Sequence, residues 1–486
     1  MSIEHRSIVP APIGEVWAWH ERPGAFQRLQ PPWMPGRIVQ EADSLEDGRA
    51  ELALPAGQRW IARHDPAGYR RGSSFVDERV DEGLASLALS PVRWRHEHRF
   101  VAEGDTTRVV DHVTTPIGSR ALRPMFAYRH RQLADDIARH RAAASAPLRI
   151  AMTGASGLVG TALAAFLTTG GHEVVRLVRG EPGPGERRWA PDAPATGLLD
   201  GIDVVVHLAG ASIFGRFDDE HRARIRDSRV GPTRALAELA AAAGVRAFVS
   251  ASAIGIYGAD RGDEVLDESA SAGEGFLAEV VEAWEAATAP AASAGVRTAQ
   301  IRTGIVQSPR GGTLQVFRPL WSAGLGGPLG GGRQWQSWID LDDLVDAYHL
   351  AIVDDRVSGP VNAVAPEPVR QGEYARVLGA VLRRPAVIPT PSLAPRALLG
   401  EEGMRELALA SQRVAPAALV EPRPPVPPAG ARGGAAAPAR ASRVARLGAA
   451  GSAARQRSRG GRACLWTTPA ALRLPLVHSE HALSRS

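Results

Sequence analysis

Hydrophobic and polar positions divide this chain into two regimes. Up to about residue 142 the dominant pattern has period two. In Trp94 to Phe100, WRHEHRF, alternation puts Trp94, His96, His98 and Phe100 on one face and Arg95, Glu97 and Arg99 on the other. A Glu103-Gly104-Asp105 turn leads into a second alternating run from Thr107 to Val113, which predicts a hairpin partner. Leu122, Phe126, Leu133 and Ile137 then recur at helical spacing and predict a closing amphipathic helix. A curved antiparallel sheet around a long helix buries both patterns, so an α+β domain is expected over 1–145.

Ala142-Ala143-Ala144-Ser145-Ala146-Pro147 reads as a linker, and beyond it strands alternate with helices. Short β-rich runs lie at Leu148 to Met152, Glu173 to Val178, Asp203 to Leu208, Ala247 to Ser250 and Thr298 to Val306. Helical stretches such as Thr161 to Leu167 and Glu220 to Ala243 separate them. This alternation predicts an α/β fold, a doubly wound parallel Rossmann sheet over 148–366. A small, mainly helical C-terminal domain is expected over 367–421. Glu421 to Gly461 is Ala, Arg, Gly or Pro at 33 of 41 positions. That is too poor in large apolar groups to offset the entropy of ordering, so 422–486 is expected to be a disordered tail.

Composition sharpens this picture. At about 150 residues per domain, 486 residues suggest roughly three domains, and 44% hydrophobic with 22% charged residues is ordinary globular protein. No apolar run reaches the length of about 18 residues that a membrane span needs, and MSIEHRSIVP lacks the apolar stretch of a signal peptide. No membrane association is therefore expected. Cys464 is the only cysteine, which excludes an intrachain disulfide and a cysteine metal cage, and a cytoplasmic location fits best. All 57 basic residues are arginine, so any mechanism that needs a lysine amine is excluded. The net charge of +5 is uneven: residues 421–486 carry eleven Arg against Glu421 and Glu480, while the rest has 46 basic and 50 acidic residues.

The chemistry begins at a glycine pattern. GxxGxxG occurs twice, where 51 glycines predict about 0.5 chance occurrences. Gly324, Gly327 and Gly330 sit in LGGPLGGG without a preceding strand or a following helix and read as a loop. Gly154, Gly157 and Gly160 follow the strand LRIAM and open the helix LVGTALAAFL. Without Cβ atoms the backbone turns tightly and approaches a pyrophosphate, while the helix N-terminus offers unpaired N–H groups to its charge. Thr153, Gly154, Ser156, Gly157, Leu158, Val159 and Gly160 are therefore the expected cofactor loop. The second strand ends at Arg179, about where an NAD enzyme places an acidic residue on the ribose 2′-OH. An arginine there suits a 2′-phosphate and favours NADP(H); the alternative is a solvated surface charge. Leu208, Ala209 and Gly210 of HLAG end another strand where their backbone can line the cofactor groove, and His207 reads as packing rather than catalysis.

With TGASGLVG, HLAG, FVSASAIGIYG and SWIDLDDLV, the middle of the chain resembles the extended short-chain dehydrogenase/reductase superfamily. More narrowly, IRDSRVGPT, IRTGIVQSPRGGTL, GGRQWQSWI, GPVNAVAPEPV and LASQRVAP resemble its NAD-dependent epimerase/dehydratase-like subgroup, from about Leu148 to Val420. In that subgroup a short C-terminal domain follows, and 367–420 match its beginning. VPAPIGEVWAWHERPGAF and MFAYRHRQLADDIARH carry a looser likeness to the START-like and polyketide-cyclase-like helix-grip ligand carriers. That likeness implies an apolar ligand in the N-terminal domain.

The superfamily resemblance implies a Ser that polarises the substrate carbonyl, a Tyr that transfers a proton and a Lys four residues later. Ser252 matches the Ser position. Where Tyr and Lys belong, the chain has Phe276 and Val280, and with no lysine anywhere realignment cannot restore the pair. Tyr257 is the nearest substitute acid if an arginine lowers its pKa; packing at the strand end is the alternative. Two functions follow from these residues. One is an NADP(H)-dependent oxidoreductase or epimerase-like enzyme acting on an unknown small-molecule carbonyl or hydroxyl substrate. The other is a catalytically silent NADP(H) sensor.

Three further features remain. His96 and His98 share a face, but sequence supplies no third ligand, so lining of an apolar cavity is expected and no metal site. Trp321, Trp335 and Trp338 flank the glycine-rich stretch 324–332 and read equally as a substrate lid or as core. The chain departs abruptly from the subgroup after Val420 into GC-rich codon residues, which points to an out-of-frame tail. The alternative, a basic tail binding nucleic acid, lacks interleaved aromatics until Trp466 and is disfavoured.

Overall fold

The computed structural model describes residues 2–390 and 393–420. The expectations for 422–486, a disordered, out-of-frame or nucleic-acid-binding tail, lie outside the described residues. The chain divides into two units, the first built on Met1–Ala138 and the second beginning at Arg139.

The first unit is a seven-stranded antiparallel sheet. Its strands are β1 (Ser2–Val9), β2 (Arg37–Gln40), β3 (Arg49–Ala53), β4 (Arg59–His64), β5 (Ser74–Val80), β6 (Arg95–Glu103) and β7 (Thr106–Thr114), in the order β1-β7-β6-β5-β4-β3-β2. The alternation in β6 is realised, with His96, His98 and Phe100 buried between the outward residues Arg95 and Arg99. Phe75, Phe100 and Val109 meet Leu133 and Ile137 of the helix Ser119–Ala143, while Ile3 and Val113 meet its Leu122, Met125 and Phe126. That helix extends to Ala143, two residues into the stretch read as linker, because alanine favours helix and nothing breaks it before Ala144 turns to φ +48°. Arg28 grips Asp136 of the helix with two hydrogen bonds of 2.7 Å; both side chains are buried, so the ion pair is fully shielded.

The second unit is built on a seven-stranded parallel sheet: β8 (Arg149–Thr153), β9 (Glu173–Val178), β10 (Glu186–Arg188), β11 (Val204–His207), β12 (Ala247–Ala253), β13 (Arg297–Thr303) and β14 (Gly359–Ala363). The order is β10-β9-β8-β11-β12-β13-β14, with every neighbouring pair parallel. Helices cover both faces, so the strands are apolar on both sides. On one face Ile150, Met152, Val204 and Val206 pack against the helices Leu158–Thr169 and Leu341–Val353. On the other, Ala151, Val205 and Phe248 pack against Leu236, Ala237 and Ala240 of the helix Val230–Ala243.

The stretch read as one helix from Glu220 is two, Asp219–Asp227 and Val230–Ala243. Pro232 has no N–H to continue the first helix, but fits the first turn of the second. Residues 367–420 hold the helices Gln371–Leu382 and Leu393–Gly403, and also a strand, Ser411–Val414, which pairs in parallel with Asp260–Leu266 of the same unit. No helix of the described residues is long and apolar enough to cross a membrane.

Candidate functional site

The sheet reverses its winding between β8 and β11, and the carboxyl ends of these two strands open the crevice in which such sheets bind ligands. Thr153 ends β8 opposite His207 of β11. The Thr153 Oγ1 accepts hydrogen bonds from the backbone N–H groups of Leu208 (3.1 Å) and Ala209 (3.3 Å) and lies 2.7 Å from His207 Nδ1. With its lone pairs occupied, the hydroxyl donates to Nδ1. His207 is fully buried, and burial pushes its imidazole down to about 4, so at neutral pH it is an uncharged packing group that holds Thr153.

The loop itself is shaped by its glycines. Gly154 has φ +68°, and a Cβ there would lie 2.8–2.9 Å from the Leu208–Ala209 peptide. A Cβ on Gly160 would lie 2.2 Å from the Gly154 carbonyl oxygen, so only glycine lets the helix start this close to the turn. Gly157 caps the helix Leu158–Thr169 without a side-chain hydrogen bond, which leaves its first N–H groups for another acceptor. Ser156 and Gly157 are exposed, whereas Leu158 and Val159 are half-buried. Such a backbone cradle, with uncapped N–H groups at a helix start, suits the charge of a pyrophosphate. Arg179 directly follows β9, the neighbour of β8; it is exposed, and its guanidinium has no hydrogen bond or ion pair among the described residues.

The two residues expected to carry catalysis belong to one buried network. The Ser252 hydroxyl donates to Glu285 Oε1 at 2.5 Å. Glu285 also receives both arms of Arg302, Nε to Oε1 and Nη2 to Oε2, each at 2.8 Å. Arg302 Nη1 in turn donates to the Tyr257 hydroxyl at 3.0 Å. Tyr257 shares its single proton between Asn362 Oδ1 (2.8 Å) and the Asp267 carbonyl (2.9 Å). The arginine needed to activate Tyr257 is thus present, and burial works against it. Tyr257 is 0% exposed, and burial pushes its phenol pKa up against the opposing pull of Arg302. Its hydroxyl ties the turn after β12 to Arg302 of β13 and Asn362 of β14, the packing role that the sequence left as the alternative.

Phe276 and Val280 lie on the helix Phe276–Ala286 and are both buried. The start of this helix is sealed by Glu406, whose carboxylate accepts the N–H groups of Phe276 (3.1 Å) and Leu277 (2.8 Å). The place where Tyr and Lys would stand is therefore apolar and capped. Around the second glycine pattern, a Cβ on Gly327 would lie 1.9 Å from the Ile388 carbonyl, and the Thr390 side chain bonds both the N–H and the C=O of Gly327. Trp321 is buried, while Trp335 is held by Asp263 through its Nε1 at 2.7 Å and lies under Arg370. Those features anchor the stretch. Trp338 belongs to the short strand Trp338–Asp340 and is half-buried.

The first unit holds a half-open cavity of about 430 Å³, lined among others by Leu29, Leu52 and Trp60, with Asp77, His96 and His98 in its wall. Sequence reasoning missed Asp77, and it missed Glu285, Arg302, Asn362 and Glu406. Arg302 had a legible signal, a lone charge inside a buried strand run. The carboxylates had none, because the groups through which they act at the site, such as Arg302 for Glu285 and the Phe276 N–H for Glu406, are 17 and 130 residues away.

A sequence profile of the NAD dependent epimerase/dehydratase family matches residues 150–363. An epimerase family protein of Mycobacterium bovis, Mb2239, is 43% identical over 274 residues, covering 56% of this chain and 90% of that protein. A crystal structure of a nucleoside-diphosphate sugar epimerase from Corynebacterium glutamicum is 46% identical with a TM-score of 0.75, covering 86% of this chain and 85% of that one. The human epimerase family protein SDR39U1, solved with NADPH, is 31% identical with a TM-score of 0.51, covering 56% of this chain and 92% of that one.

Proposed function

This chain belongs to the NAD dependent epimerase/dehydratase family, and from that premise we propose that its second unit binds NADP(H) in an oxidoreductase or epimerase-like enzyme. The observation that carries the reading is the glycine cradle at the sheet's switch point with an unengaged arginine after the adjacent strand. Thr153, Gly154, Ser156, Gly157, Leu158, Val159 and Gly160 would hold the pyrophosphate, the Leu208–Gly210 backbone would line the groove, and Arg179 would take the 2′-phosphate. The human relative's structure with NADPH supports that cofactor choice. When bound, the nicotinamide supplies hydride exchange with a carbonyl or hydroxyl carbon. Ser252 would orient the reacting oxygen, and Glu285 and Arg302 would set the direction of its hydroxyl. Tyr257 is a positioning residue in this account. The substrate is a small molecule, and a cytoplasmic site of action is part of the same reading.

For the first unit we propose a START-like, helix-grip ligand carrier whose cavity admits an apolar ligand. The domain boundaries proposed are 1–145 and 148–366, with 367–421 as a C-terminal extension. NADPH-linked turnover, assayed across carbonyl and sugar-nucleotide panels, tests the enzyme; turnover abolished by Gly154→Ala supports it. Its absence across both panels, with NADPH still bound, favours the second reading. In that reading the chain senses NADP(H) without turning over a substrate, as the buried Phe276 and Val280 and the sealed Tyr257 hydroxyl suggest.

A further inference from the structure

β5, β6 and β7 bring four ionisable side chains to one face of the first unit. Asp77 stands opposite His96, and Asp111 stands opposite His98. The two imidazoles are adjacent, with ring centroids 3.8 Å apart, and each presents one nitrogen to Asp77 and the other to Asp111. We propose that Asp77, His96 and His98 form a three-ligand site for a divalent transition-metal ion of the zinc class, open toward the cavity.

The geometry supports this in three ways. Asp77 Oδ2 lies 3.2 Å from His96 Nδ1 and 3.4 Å from His98 Nε2, and one donor atom from each of the three residues falls within 4.8 Å of the others. Tetrahedral zinc with ligands at about 2.0–2.1 Å has edges of about 3.3–3.4 Å. Charge-assisted hydrogen bonds would draw the same atoms to about 2.7–2.9 Å. Secondly, each ligand has a supporting partner. Asp111 Oδ1 sits 3.2 Å from His96 Nε2 and 2.8 Å from His98 Nδ1, so a carboxylate stands behind both rings while their other nitrogens face Asp77. The other oxygen of Asp111 is held by His130 Nε2 at 3.0 Å, and His130 Nδ1 lies 2.6 Å from the Ser7 hydroxyl. Trp94 Nε1 donates to Asp77 Oδ1 at 3.3 Å.

Charge is the third point. His96, His98 and Asp111 are each only 4% exposed, and His96 Nε2 and Asp111 Oδ1 are sealed from solvent without a well-formed hydrogen bond. A divalent cation held there would supply a counter-charge to the two buried acidic side chains. Asp77, His96 and His98 also line the cavity, whereas Asp111 lies behind them. The fourth position therefore faces the cavity and would take water or the oxygen donor of an apolar ligand.

The test uses the full chain, stripped with a chelator and dialysed, with Zn2+ and Co2+ as the probes. Calorimetry and elemental analysis should give about one equivalent of tightly bound Zn2+. His98→Ala and the near-isosteric Asp77→Asn should each weaken binding at least tenfold. Asp111→Asn should keep the stoichiometry and weaken affinity about 10- to 100-fold. The Co2+ form should show the strong visible absorption of a tetrahedral centre, absent in His98→Ala, and Zn2+ should raise the melting temperature of the wild type but not of Asp77→Asn. His112→Ala, on the opposite face of β7, should bind as the wild type does. Binding no tighter than in a His96→Ala/His98→Ala variant, or a weak six-coordinate Co2+ spectrum, would overturn the proposal.

Discussion

Replacing Arg302 with methionine isolates the interaction on which the interior of the candidate site depends. Arg302 holds Glu285 through two parallel hydrogen bonds of 2.8 Å and reaches Tyr257 with a third at 3.0 Å. Its side chain is 8% exposed and that of Glu285 is 14% exposed, so solvent cannot replace what is lost. Methionine fills similar volume, but leaves the Glu285 carboxylate with only the Ser252 hydroxyl. Stranding one member of a buried pair costs about 3–5 kcal/mol. For a unit of this size that corresponds to a fall of roughly 10 °C in its melting temperature. Adding Glu285→Gln removes the stranded charge, and the double variant should regain more than half of the loss. Thermal and urea unfolding of the four proteins, following the transition of the second unit, gives the coupling directly. A loss below about 1 kcal/mol for Arg302→Met, or strict additivity of the two changes, would refute the reasoning, because it would mean that water reaches the pair.

Gly160→Ala should weaken NADPH binding at least tenfold and destabilise the second unit by about 1–3 kcal/mol, since the new methyl meets the Gly154 carbonyl at 2.2 Å; calorimetry and melting curves read both effects. His207 makes stability pH-dependent. Its imidazole falls from 6.5 to about 4 on folding, so between those values only the unfolded chain takes the proton, and stability is lost as pH drops through this window. The loss approaches about 3 kcal/mol by pH 4, and a His207→Asn variant should lack that slope in unfolding curves collected from pH 7 to 4.

How far the chain could be read without coordinates depended on how local each signal was. β8, the glycine loop and the helix after it are contiguous in sequence, so their hydrophobic run, turn chemistry and helix start all agree. The alternation in β6 likewise set His96, His98 and Phe100 on one buried face. β10 and β14 were not legible: Glu186–Arg188 is a three-residue polar edge, and GPVNA opens on Gly-Pro and contains a buried asparagine. The site's interior was illegible for a different reason. Asp77 and Asp111 approach the two histidines only through strand pairing, and Asn362 reaches Tyr257 across 105 residues. Tyr257 shows the limit most clearly. A nearby arginine was correctly required, but whether its field or burial governs the phenol depends on solvent exposure, which sequence does not carry.

The central claim is that the glycine cradle and Arg179 bind NADP(H). Calorimetric titration of the full chain with NADPH and NADH, in the wild type and in Arg179→Ala, tests it most directly. A charge-assisted contact to a 2′-phosphate contributes about 1.5–3 kcal/mol, so NADPH should bind roughly 10- to 100-fold more tightly than NADH, and Arg179→Ala should erase the difference while leaving NADH affinity and the melting temperature unchanged. Binding of neither nucleotide, or a preference for NADPH that survives in Arg179→Ala, would contradict the account.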